Sequence, residues 1–118
     1  MVIFNLRERI FDFVLDIIHL IQKLPDTRIN RIISDQVLRS ATSIGANYEE
    51  ADGTPTRKDF AHKMSIVKKE AKETKYWLKI LRALDLATIN TTIDTLSSEN
   101  EELIRIVSKI VIKSSTKV

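Results

Sequence analysis

Five cations, Lys68, Lys72, Lys75, Lys79 and Arg82, recur at alternating spacings of four and three residues. On a helix this spacing lines them along one side for about four turns, roughly 20 Å at 1.5 Å of rise per residue. A row of positive charge that long suits a polyanion, because each phosphate it neutralises releases condensed counterions. Lysine is a point charge that mainly contacts phosphate, so the chemistry implied is backbone binding without sequence readout. Lys58 and Lys69 lie near the edges of the row. The competing interpretation is a solvated flank that keeps the protein soluble, since surface charge runs are common. Local concentration favours the first: residues 57–82 carry nine Lys/Arg against three acids, and the remainder of the chain carries ten against thirteen.

Other residues could do chemistry but are less well placed for it. Glu70 and Glu73 fall beside Trp77 on the more apolar side of the same helix. Arg39, Asn47 and Glu50 of the preceding helix are their candidate partners, in a polar network or subunit interface that sets register. Acid–base catalysis by Glu50, Glu70 or Glu73 has neither a nucleophile nor a cofactor loop to accompany it. Tyr76 and Trp77 fit core or interface packing better than base stacking. Asp16-Ile-Ile-His19 and Asp59-Phe-Ala-His62 share the Asp-x-x-His spacing, and bundles build di-iron sites from Glu-x-x-His pairs. Both histidines point off the apolar stripes of their helices, and aspartate is one methylene too short. Neither a metal, another cofactor nor an enzymatic activity is expected.

These residues must be carried by helices, and the spacing predicts four, at about 6–24, 28–52, 57–84 and 98–114. The first places Ile10, Val14, Ile17, Ile21 and Leu24 on one face and opens with a capping box at Asn5 and Glu8. The second follows Asp26 or Thr27, carries Ile29, Ile33, Val37, Ile44 and Tyr48, and stops at Gly53. Beside that apolar face runs a stripe of Gln36, Ser40, Ser43, Asn47 and Glu50, with Gly45 nearby. Serine, asparagine and glycine are mediocre helix formers, so propensity does not explain them. Small side chains here imply close approach of another helix, with hydrogen bonds across the contact.

The third helix starts at Thr56 and carries Phe60, Met64, Val67, Ala71, Thr74, Leu78 and Leu81 at a 4-3 repeat. A second set, Ile66, Trp77, Ile80 and Leu84, widens its apolar surface beyond what one flank needs, which implies an oligomer. Residues 85–97 read as a looser connection with a helical turn near Ile93. Ser98 and Glu101 then form a capping box for the fourth helix, whose end at 114–118 is expected to fray. One all-α domain results, an antiparallel up-and-down four-helix bundle.

Composition agrees. The 118 residues include two glycines, two prolines and no cysteine, so long helices with few turns are economical and no disulfide or thiolate chemistry exists. Arg7, Glu8 and Arg9 interrupt the apolar N-terminal stretch before a secretory signal could form. No run approaches the length of a membrane span, and a cytoplasmic protein is expected.

Two stretches, RSATSIGANYEEADG (39–53) and RKDFAHKMSIVKKEAKETKYWLKIL (57–81), carry a resemblance. They resemble the four-helix-bundle proteins encoded in intervening sequences of bacterial 23S ribosomal RNA genes. That family includes the accessory variability protein of diversity-generating retroelements. The matching positions are Asn47, Glu50 and Ala51; Asp59 and Phe60; Ser65, Glu70 and Glu73; and Tyr76, Trp77 and Leu78. The resemblance implies a ring-like homopentamer with nucleic-acid-binding character and no enzymatic activity. The expectation is therefore a non-enzymatic homo-oligomer that binds RNA or DNA through Lys68, Lys72, Lys75, Lys79 and Arg82. Its rival is a protein-interaction scaffold or accessory subunit, for example of a reverse transcriptase.

Overall fold

The computed structural model of the chain describes residues 5–115. Four helices, α1 (Leu6–Gln22), α2 (Arg28–Asp52), α3 (Arg57–Ala83) and α4 (Asn90–Ser115), are joined by short links, the last holding one 3₁₀ turn at Ala87–Ile89. Each helix packs on its neighbours in sequence, and α1 closes against α4. Contacts between neighbours run in opposite register: Ser40 meets Thr74 and Glu50 meets Lys63, while Ala71 meets Asn100 and Arg82 meets Asp94. The bundle measures 50 × 27 × 20 Å and has no strand among its described residues.

Local chemistry sets most of the helix ends. Thr27 and Thr56 cap α2 and α3, their hydroxyls accepting the Asn30 and Asp59 N–H groups at 3.1 and 3.0 Å. Asn5 makes no side-chain cap, so the expected box with Glu8 does not form; its carbonyl accepts the Arg9 N–H instead. Buried Asn30 donates from Nδ2 to the Pro25 carbonyl at 2.9 Å, which ties the α1–α2 turn to the start of α2. At the end of α3 the chain reverses through Asp85, whose φ of 54° is left-handed. Aspartate tolerates that region better than most residues, and here its Oδ1 accepts from Asn90 Nδ2 at 2.8 Å.

The fourth helix departs most from expectation. It begins at Asn90, eight residues before 98, so most of the supposed connection is helical and Ser98 lies inside the helix. Ile93, Leu96, Asn100, Leu103 and Val107 form its buried row at the usual 3-4 alternation. Asn100 breaks the apolar pattern in the middle of that row, and threonines lower the local propensity, yet packing overrides both. Asn100 Nδ2 donates to the Ala71 carbonyl at 2.9 Å, which fixes the level at which α4 meets α3. The fraying expected over 114–118 concerns residues that lie, from 116 onward, outside the described ones.

Two faces are also rotated from expectation. In α1 the buried row is Leu6, Ile10, Phe13, Ile17 and Leu20, while Val14, Ile21 and Leu24 are half-buried. A helix that touches both α2 and α4 must centre its buried face between them, which selects Phe13 and Leu20. In α2, Asn30, Ser34, Ser40 and Ala41 join Val37 and Ile44 inside, and Ile29 is exposed. Of the expected polar stripe only Ser40 is buried; Gln36, Ser43 and Asn47 are half-buried and Glu50 is exposed, so the stripe flanks the buried face. By contrast the α3 row from Met64 through Leu81 is buried as its spacing requires.

Gly45 does not sit at the closest contact. A methyl group there would stand 3.6 Å from Val14 and 3.8 Å from Ile10, ordinary van der Waals distances. Gly45→Ala should therefore gain most of the helix-propensity difference, about 1 kcal/mol, and raise Tm by a few degrees. A lower Tm in a calorimetric scan would show that the position needs glycine.

Candidate nucleic-acid interface

Three sides of α3 are committed to other helices, and what remains faces outward. Its core row packs inward, one flank meets α2 and the other meets α4. The lysine row lies along the α4 flank and the outward side. Lys72, Lys75, Lys79 and Arg82 are exposed, and Lys68 is half-buried. Acids interrupt the row, and they come from α4 and from the link before it. Glu101 accepts Lys75 Nζ at 2.8 Å, and Asp94 accepts Arg82 Nε at 2.9 Å with Asp85 at 3.9 Å. Spacing along α3 could not reveal partners 12 and 26 residues away across a helix contact. Lys68, Lys72 and Lys79 have no acid within ion-pair distance among the described residues.

Between the two helices lies an open groove of about 400 Å³ lined by Lys75, Lys79, Arg82, Ala83, Ser97 and Glu101. Its upper rim continues on α4. Register places Arg105 level with Lys68, one turn beyond Glu101, and its guanidinium is bonded to Glu102. That hydrogen bond, reinforced by the charge of Arg105, holds the Glu102 carboxyl below its ordinary range and the guanidinium above its own. The groove acids and Arg105 were the parts missed in the sequence. Their only signal there is the helical spacing of Asp94, Glu101 and Arg105 at seven and four.

The α2 flank of α3 holds a polar network. Arg39 reaches Glu70 at 3.5 Å, bonds Glu73 closely, and touches Gln36 at 3.4 Å. Trp77 Nε1 donates to the same Glu73 at 3.0 Å, and its ring meets Tyr76 edge-on at 5.2 Å. Four of the six expected members, Arg39, Glu70, Glu73 and Trp77, are therefore joined. Glu50 is not: it accepts Lys63 Nζ at 2.6 Å farther along the contact. Asn47 turns back to its own helix, donating to the Ser43 carbonyl at 2.9 Å. The carboxylates at Glu70 and Glu73 are thereby occupied by a guanidinium and an indole N–H, a structural arrangement. His19 and His62 are exposed on α1 and α3, and no group of metal-ligating side chains converges among the described residues. No described helix is long and apolar enough to cross a membrane.

The family model for the 23S rRNA-intervening sequence protein matches residues 4–109. Among solved structures, the chain is similar to a protein of unknown function from the S23 ribosomal protein family of Bacteroides thetaiotaomicron VPI-5482. The two are 32% identical with a TM-score of 0.81, over 89% of this chain and 96% of that one. No curated protein matches.

The network has a thermodynamic consequence. Glu73→Ala removes the acceptor shared by Arg39 and Trp77 and should cost about 1 kcal/mol after solvent screening. Glu50→Ala removes one exposed pair and should cost about 0–0.5 kcal/mol. Urea unfolding of both variants checks this; equal losses would contradict the network.

Proposed function

The chain belongs to the 23S rRNA-intervening sequence protein family, and from that premise we propose that it is a non-catalytic, homo-oligomeric bundle that binds nucleic-acid backbone along α3. The family resemblance supports reading the oligomer as a pentamer and the setting as a bacterial cytoplasm, and no described helix is long and apolar enough to cross a membrane. One observation carries the binding: Lys68, Lys72 and Lys79 stand on the outward side of α3 with no acid partner among the described residues. They span eleven residues of helix, about 16 Å, which matches about five phosphate steps along one strand of a duplex. Lys75 and Arg82 lie in the same row but are held by Glu101 and Asp94, so they contribute only when those pairs exchange for phosphate. Copies of the row on each protomer multiply weak contacts through effective concentration.

Anisotropy titrations with structured RNA, single-stranded DNA and duplex DNA across a salt series test this. With three cations engaged per footprint, duplex affinity should fall about 40-fold between 50 and 200 mM salt. A Lys68→Glu, Lys72→Glu, Lys79→Glu variant should lose binding. A Glu101→Gln, Asp94→Asn variant releases Lys75 and Arg82, so it should bind more tightly and steepen the logarithmic salt slope by about two. Absence of binding at low salt would transfer the lysine row to an acidic protein surface, the accessory-subunit alternative.

A further inference from the structure

The α3–α4 groove holds more than charge. It offers about 400 Å³ between Lys75, Lys79, Arg82 and Ala83 of α3 and Ser97 and Glu101 of α4, with walls that are mostly carbon. That volume lies in the range of small-ligand sites, which combine largely apolar walls with a few placed polar groups. Two ion pairs across the contact set its register: Lys75 stands level with Glu101 and Arg82 with Asp94, which places Ser97 level with Lys79. The Ser97 hydroxyl makes no hydrogen bond among the described residues, and Lys79 has no acid partner there.

Three of these groups suit a flat heterocycle. Asp94 holds the Arg82 guanidinium through Nε at 2.9 Å. Such a bond lies in the guanidinium plane, so it orients Arg82 and leaves a face for stacking an aromatic ring. Glu101 gives Oε2 to Lys75 at 2.8 Å, while its Oε1 accepts no hydrogen bond among the described residues. The pair therefore presents two carboxylate acceptors beside an ammonium donor. On their pairing edges uracil offers one donor between two acceptors, and adenine and cytosine offer an amine beside an acceptor. Guanine alone offers two adjacent donors, N1–H and N2–H, beside one acceptor, O6. A carboxylate takes two parallel N–H bonds as a fork, and Lys75 then turns to O6.

We infer that this groove binds one unpaired guanine of a single-stranded nucleic acid, stacked on Arg82 and held at its pairing edge by Glu101 and Lys75. This rests on the nucleic-acid reading above and narrows its ligand class: the lysine row takes the backbone, and the groove adds one base. Lys79 on the rim and Lys72 two turns along α3 are placed for the flanking phosphates. In a duplex the same edge is consumed by base pairing, so the preference belongs to loops, bulges and single strands. A carboxylate in the middle of a phosphate-binding face weakens backbone contact, and recognition of a base is the gain that offsets it.

Anisotropy titrations of the full chain with short oligouridine RNA carrying guanosine, inosine, adenosine or uridine at the centre test this. The guanosine strand should bind about tenfold more tightly than the uridine strand. Inosine, which lacks the N2 amine, should fall between them, and duplexes that differ at the same pair should bind alike. Free GMP, which reaches none of the lysines beyond the groove, should bind more weakly than the guanosine strand; equal affinity would overturn the single strand as ligand. Glu101→Gln replaces the fork by one acceptor and one donor, so it should erase the guanosine preference while backbone binding is kept or tightened. Ala83→Leu, at an exposed position, fills the groove at constant charge and should erase the preference with the salt slope unchanged. Circular dichroism confirms the helices of both variants. Equal affinity for the four strands, or a preference that survives in either variant, would overturn the guanine site and leave the backbone reading in place. No binding of any strand would overturn that reading and the site with it.

Discussion

The architecture depends on how closely α2 approaches α3. Thr74 donates to Ser40 Oγ at 2.8 Å in the interior, and Ser40 donates in turn to the Val37 carbonyl at 3.2 Å. Thr74 also has the Glu70 carbonyl of its own helix at 2.9 Å, so the inter-helix contact adds one buried hydrogen bond, worth about 1 kcal/mol, when the helices meet at this level. Small neighbours, Ala41 and Ala71, allow that approach. Once it is made, Arg39 comes within reach of Glu70 and Glu73, and Lys63 within reach of Glu50. Asn100 sets the opposite flank by bonding the Ala71 carbonyl. With both flanks and the core side occupied, α3 has one side left for solvent, and its lysines stand there.

That constraint explains why some features were legible in the sequence and others were not. The α3 row was legible because Met64, Val67, Ala71, Thr74, Leu78 and Leu81 keep one alternating spacing through about five turns. The polar stripe on α2 was legible as a packing surface through Ser40, while Gly45, near it in sequence, borders the open α1–α2 groove. The start of α4 was hidden by Asn100, a polar residue at a core position, and by threonines that packing overrides. The shift of the α1 face towards Phe13 follows from which two helices it touches, a fact no single helix carries. For the same reason the pairing of Lys75 and Arg82 with α4 acids could not be read from α3 alone.

The surfaces then divide by chemistry. The α3–α4 side joins free lysines to a groove whose acids hold two more cations in reserve, an arrangement suited to a polyanion of variable sequence. The two seams beside α2 leave Phe11, Ile29 and Ile32 at least half exposed. Membership in the 23S rRNA-intervening sequence protein family supplies the fold and the premise; the placement of charge on this chain supplies the specific reading.

The most direct measurement is a lysine-acetylation footprint, read by mass spectrometry with and without bound structured RNA at low salt. Lys68, Lys72 and Lys79 should be protected on binding, while Lys23 just after α1 and Lys113 near the end of α4 should react equally in both states. Protection centred on Lys23 or Lys113, or binding that leaves the three α3 lysines fully reactive, would contradict the account.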